Sequence, residues 1–127
     1  MRFINTTEAP KPGGHYSQAV VAKGFVFVAG QLPMIAKSQP PKMPDGIEAQ
    51  TLQALSNVAA ILKEAGSQMS SVVSATLYIT DVSYWPQVNK VFAEVFGEHR
   101  PARAMVTSPT LHFGALIEVQ VVAEVQG

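Results

Sequence analysis

The sequence predicts an α+β fold: a six-stranded mixed sheet with two helices on one face, in the order β-β-β-α-β-α-β-β. Three observations carry that prediction. From residue 115 to 125 the odd positions Ala115, Ile117, Val119, Val121, Ala123 and Val125 are apolar, with Glu118, Gln120 and Glu124 between them. Side chains alternate across a strand, so this segment has one core face and one face bearing carboxylates. Two stretches of helical periodicity, 45–66 and 83–97, each lie between strand-like runs; both are therefore crossovers, expected to cover the same face of the sheet. Finally, charged residues make up 14% of the 127, against roughly 25% in a typical domain. The sheet face opposite the helices is then expected to be covered by another subunit.

Taken in order, residues 2–5 form a short strand, and 6–14 a loop rich in Pro and Gly. Runs 18–22 and 25–29 form a hairpin through the two-residue turn Lys23-Gly24. Prolines at 33, 40, 41 and 44 keep 32–45 irregular. In the first helix Leu52, Leu55, Val58 and Leu62 recur at helical spacing, with Ala49, Ala59 and Ala65 on the same side. Asp45 and Glu48 resemble a capping box, and Gly66 suits the position just past the helix end. Residues 72–80 form a strand with Val73, Ala75, Leu77 and Ile79 on one face. In the second helix Ser83 is a candidate cap, Pro86 fits the first turn, and Trp85, Val88, Phe92 and Phe96 form an apolar stripe. Residues 102–107 form the penultimate strand. A chain of this length, with no repeat and no low-complexity segment, makes one domain, 1–127.

Composition narrows the function. The formal net charge is zero and the pI about 6.8, so no basic footprint for nucleic acid or an anionic membrane is present. There is no cysteine, which removes disulfides, thiolate metal sites and Cys nucleophiles. No run approaches the roughly 18 apolar residues of a membrane span, and residues 1–14 carry no apolar leader core, so a cytoplasmic protein is expected. No phosphate-cradling glycine loop is visible, and the three histidines lack ligand spacing; neither a cofactor nor a metal is expected.

The candidates for chemistry are few. Arg103 and Glu118 are charges on strands in an otherwise apolar segment, and such a charge needs a partner or a ligand. Arg103 is suited to gripping a carboxylate with two parallel hydrogen bonds, and Glu118 to proton transfer or holding a water. The bland alternative makes Arg103 half of a structural ion pair with Glu118 or another acid, and Glu118 a solvated strand carboxylate like Glu124. Tyr16, in a glycine-flanked loop, is either a pocket hydroxyl or a rim aromatic. Gly30 would let a ligand approach the backbone or simply start a turn. Asn89 is a helical polar position, and His15 and His112 are lone loop histidines. Ser17 has only His15 beside it, which is weak support for a nucleophile.

The motifs GHYSQAV, FVAGQLP, EAQTLQALSNVAAIL, TLYITDVSYWPQVNKVF, RPARAMV and GALIEVQVVAEV resemble, nearly end to end, the RidA (YjgF-like) family of reactive-intermediate deaminases. The resemblance implies a chorismate-mutase-like fold, a homotrimer with clefts between subunits, and cofactor-free hydrolysis of 2-imino acids or their enamine tautomers to 2-oxo acids and ammonia. By motif, it implies that Arg103 binds the substrate carboxylate and that Glu118 positions or protonates the water-derived group. Tyr16, Gly30, Asn89 and the backbone of Met105 would line the pocket. A non-catalytic trimer binding small carboxylates is the other class in play. The ribonuclease or translation-inhibitor role sometimes attached to the family fits poorly with zero net charge. Four positions depart from the family's usual pattern: His15 replaces Pro, Ala29 replaces Ser, Met105 replaces Cys, and Leu111-His112 replaces Leu-Pro. These bear on substrate more than on fold.

Overall fold

The computed structural model describes residues 1–126. Its strands are β1 (Arg2–Ile4), β2 (Ala19–Ala22), β3 (Phe25–Gln31), β4 (Val72–Ile79), β5 (Ala102–Thr107) and β6 (Ile117–Glu124). The helices are α1 (Ile47–Glu64), between β3 and β4, and α2 (Trp85–Phe96), between β4 and β5. The expected element order is present, with short 3-10 turns at Met69–Ser71, Val82–Tyr84 and His112–Gly114. One sheet runs β1-β2-β3-β6-β4-β5. Only β4 and β5 pair in parallel. The last strand inserts between β3 and β4, antiparallel to both, so β3 and β4 run the same way and each helix is a crossover between parallel strands.

Local chemistry accounts for the well-predicted boundaries. Lys23 and Gly24 have φ of 55° and 82°, the doubly positive turn whose twist matches a hairpin. At the end of α1, Gly66 has φ 80°; the Ser67 amide donates to the Leu62 carbonyl at 2.8 Å and the Gly66 amide to Lys63 at 3.1 Å. Those two bonds form a Schellman cap.

Four expectations are corrected. The Asp45–Glu48 capping box does not form: α1 starts at Ile47 after Gly46 (φ 88°), without a side-chain cap. Asp45 lies one residue too early, and Glu48 pairs instead with Lys90 of α2 at 3.1 Å. The buried face of α1 is rotated from the expected stripe. It runs through Ile47, Thr51, Ala54, Leu55, Val58, Ile61 and Leu62, leaving Leu52 56% exposed. The rotation arises because Gln50, Thr51 and Asn57, polar by type, are buried and satisfied. Gln50 accepts from the Leu116 amide at 2.8 Å, and Asn57 donates to the Leu32 and Met34 carbonyls at 3.0 and 2.8 Å. Ser83 does not cap α2. Asp81 accepts from the Ser83 amide at 2.9 Å, which holds the Asp81 carboxyl below the usual carboxylate range, and α2 begins at Trp85 with Pro86 in its first turn. In β4, an irregularity between Val72 and Ser74 turns Val72 into the core and Val73 out.

The core lies between the helices and one sheet face. Leu55, Val58, Ile61 and Leu62 of α1 meet Ala75, Leu77 and Ile79 of β4 and Ile117, Val119 and Val121 of β6, all essentially inaccessible. Fully burying each large aliphatic is worth about 1.5–3 kcal/mol before entropy. The opposite face is uncovered. Cross-strand register places Phe3, Val20, Phe27, Val122, Ser74 and Ala102 in one row across it, with Phe3 68% and Phe27 49% exposed.

Candidate active site

Arg103 lies on β5, an edge strand. It pairs with Ala75, and Met105 with Leu77. Ala75 and Leu77 face the helices, so Arg103 and Met105 do as well. The Arg103 guanidinium carbon is 5.3 Å from the Trp85 ring centroid and 4.9 Å from that of Phe92. Its Nη1 donates to Oδ1 of Asn89 at 2.9 Å. Trp85, Asn89 and Phe92 stand at i, i+4 and i+7 of α2, and so share one face of that helix. A cleft of about 470 Å³ opens beside them, walled in part by Phe96, His99 and Arg100. A guanidinium carries five N–H donors. Among the described residues Asn89 is the only side chain Arg103 bonds, so most of the fork is unpartnered within the chain.

Glu118 faces the other way. Ile117 and Val119 enter the core, so Glu118 between them, level with Tyr78 of β4, projects onto the open face. Its carboxylate lies across Gly30. A Cβ built at Gly30 would overlap a carboxylate oxygen of Glu118 and stand 3.0 Å from Cδ and 3.3 Å from Cγ. Gly30 falls in the irregular stretch of β3 between Val28 and Gln31. Its missing side chain therefore makes the seat for Glu118 rather than starting a turn.

Arg103 and Glu118 consequently do not pair with each other, and among the described residues Arg103 forms no ion pair with another acid either. They occupy opposite faces of one sheet. The ion pairs among the described residues are Lys37–Glu8 at 2.6 Å and Lys90–Glu48 at 3.1 Å. Of the remaining candidates, Asn89 meets Arg103, and Gly30 meets Glu118. Tyr16 is 54% exposed, and its hydroxyl accepts from the Gly13 amide at 3.2 Å. It lies two residues before Gln18, whose carbonyl accepts from the Ala29 amide at 2.9 Å, which brings the Tyr16 loop to the end of β3 that carries Gly30. Met105 is half-buried on the helix side. His15 is exposed, and His112 is exposed and stacks on Phe113 at 4.9 Å.

The aromatic flanks of Arg103 escaped the sequence reading, which assigned Trp85 and Phe92 to an apolar core stripe. The available signal was Asn89, set between two aromatics at helical spacing. Gln50 also escaped it; its bond to the Leu116 amide fixes the chain two residues before Glu118.

The fold and these two sets of residues define a small α+β domain with an open sheet face and an unpaired Arg and Glu on β5 and β6. Comparison with known proteins gives the family. The Endoribonuclease L-PSP family profile matches residues 6–125. A RutC family protein of Pyrococcus horikoshii is 42% identical over 120 residues, covering 94% of each chain. The 2-iminobutanoate/2-iminopropanoate deaminase of Capra hircus is 37% identical over 126 residues, covering 99% of this chain and 90% of that one. The crystal structure of E. coli TdcF with bound serine superposes with a TM-score of 0.92 at 29% identity, over 99% of this chain and all of that one. The chain belongs to the Endoribonuclease L-PSP family, the same RidA (YjgF-like) family that its motifs resemble.

Proposed function

We propose that the protein hydrolyses 2-imino acids such as 2-iminopropanoate and 2-iminobutanoate, and their enamine tautomers, to 2-oxo acids and ammonia, in clefts completed between the copies of a homotrimer. The observation that carries this is the pair of unpartnered groups: a guanidinium flanked by aromatics on one sheet face and a carboxylate over Gly30 on the other. One copy does not bring both to one ligand. The β5 edge of one copy set against the open face of the next would do so, and would cover Phe3 and Phe27. The goat relative named a 2-iminobutanoate/2-iminopropanoate deaminase supports the reaction, and the TdcF structure with bound serine supports a small carboxylate ligand.

The chemistry suits these residues. Arg103 holds the substrate carboxylate bidentately and fixes the imine carbon. Water adds to that carbon while the Glu118 carboxylate accepts its proton. Protonated Glu118 delivers that proton to nitrogen, giving the 2-amino-2-hydroxy acid. The carboxylate then takes the new hydroxyl's proton and passes it to the amino group, so that the carbon–nitrogen bond breaks and ammonia leaves behind a carbonyl. One water is consumed and no oxidation state changes, so general acid–base work and positioning suffice. Tyr16, Gly30 and the Met105 backbone line the cleft.

The test generates 2-iminopropanoate from alanine with an amino-acid oxidase and follows its decay. The protein is expected to accelerate the decay, and light scattering to give about three times the 13.6 kDa chain mass. A stable monomer would remove the shared cleft. A trimer that binds pyruvate but leaves imine decay unchanged would be a binding module. Gly30→Ala gives a local check. The added methyl must displace the Glu118 carboxylate, and since about 1 Å of misplacement can cost on the order of 100-fold, activity is expected to fall at least about tenfold while the fold is kept. Full activity in that variant would mean the carboxylate's seat over Gly30 is unimportant.

A further inference from the structure

We propose that Trp85 is a positioning residue for Arg103: its ring holds the guanidinium in the orientation that accepts a carboxylate, so that its loss weakens carboxylate binding through Arg103 alone. This rests on the carboxylate-clamp reading of Arg103 above. The two aromatics beside the guanidinium differ in what else they do. Phe92 is buried in the core and packs on Phe96 with centroids 4.4 Å apart, so it has a structural role whatever Arg103 does. Trp85 stands outside the core cluster and is 42% exposed. Its ring stands beside Arg103, with the guanidinium carbon 5.3 Å from the centroid.

An exposed indole on the first turn of a helix contributes little to folding, but its π face attracts a guanidinium and restricts the plane in which it lies. Asn89 fixes a second point, at Nη1. Together they hold a long, flexible side chain in one place, at the edge of the sheet, before any ligand arrives. That preorganisation spares the ligand the cost of ordering the side chain. Trp85 is also the single tryptophan of the chain, so its emission reports on this contact directly.

Pyruvate is the probe, titrated by calorimetry into the intact protein and into Trp85→Phe, Trp85→Leu, Arg103→Met and the double variant Trp85→Leu/Arg103→Met, with Trp85 emission followed wherever the indole remains. The cation–π contribution predicts that Trp85→Leu weakens pyruvate about tenfold, while Trp85→Phe, which keeps a ring face, stays within about threefold of the unaltered protein. Arg103→Met is expected to abolish binding within the measurable range and to shift the Trp85 emission without ligand. The double variant is expected to match Arg103→Met, because a residue acting through another adds nothing once that other is gone. Unaltered pyruvate affinity in Trp85→Leu would overturn the proposal, as would residual binding in Arg103→Met that Trp85→Leu reduces further. Absence of pyruvate binding by the unaltered protein would overturn it together with the clamp. If this binding pattern holds but no imine is hydrolysed, the deaminase reading falls and the positioning role of Trp85 stands.

Discussion

Arg103→Lys is expected to lower imine hydrolysis on the order of 100-fold or more while the chain still folds and assembles. Lysine keeps the positive charge but presents a compact ammonium in place of a planar fork. It cannot grip a carboxylate with two parallel bonds, nor reproduce the planar group that stands beside Trp85 and Phe92 while donating to Asn89. In the proposed cleft the imine carbon would then sit out of line with the Glu118 carboxylate and its water, and misplacement of about 1 Å is enough for a loss of that size. Stability should change little, because among the described residues Arg103 has no ion pair to be broken. Hydrolysis and thermal melting measured on one preparation decide the matter. Near-normal activity with a lowered melting temperature would make Arg103 a structural residue and remove the clamp.

Glu118→Gln is expected to reduce kcat by about 10²- to 10⁴-fold, the usual contribution of a positioned acid or base, and to leave pyruvate binding within a few-fold. Glutamine has nearly the same shape, so the side chain can keep its place over Gly30. It cannot take a proton from water. Neither ion pair among the described residues involves Glu118, so the substitution breaks none of them. A drop in kcat without a matching rise in KM would mark a group needed in the transition state and not for ground-state binding. Turnover at the unaltered rate would rule Glu118 out as the proton carrier, and loss of pyruvate binding would make it part of recognition instead.

Much of the fold was legible because it is written in short-range patterns. The alternation along 115–125 marked β6 and its two faces, Lys23-Gly24 marked the hairpin, and Gly66 marked the end of α1. The failures were also local. Leu52 looked like a core residue by type, but the helix is rotated to bury Gln50, Thr51 and Asn57. Gln50 and Asn57 find partners in distant segments, and Thr51 bonds the Ile47 carbonyl one turn back. Sequence periodicity counts apolar residues and does not register a satisfied amide. The Asp45–Glu48 pattern failed because the helix began one residue later than the pattern assumed. Val73 was placed inward because a single irregular residue at the start of β4 reverses the alternation.

The candidate site divides in the same way. Arg103 and Glu118 were visible in the sequence because an isolated charge in an apolar strand segment must be answered by something. Their placement was not. In β5 the run Ala102, Arg103, Ala104, Met105 carries no strong hydrophobic alternation, so nothing local says which face Arg103 takes. Pairing with Ala75 decides it and delivers the side chain to Trp85, Asn89 and Phe92. In β6 the alternation already turned Glu118 away from the core, but only the insertion of that strand beside β3 brought its carboxylate over Gly30. The sequence by itself determined which elements form and which groups carry charge, since both depend on residue type and spacing along the chain. The tertiary structure alone decided that the two groups lie on opposite faces of the sheet, because the face a side chain takes depends on strand register and strand order, which are set by residues far apart in the chain.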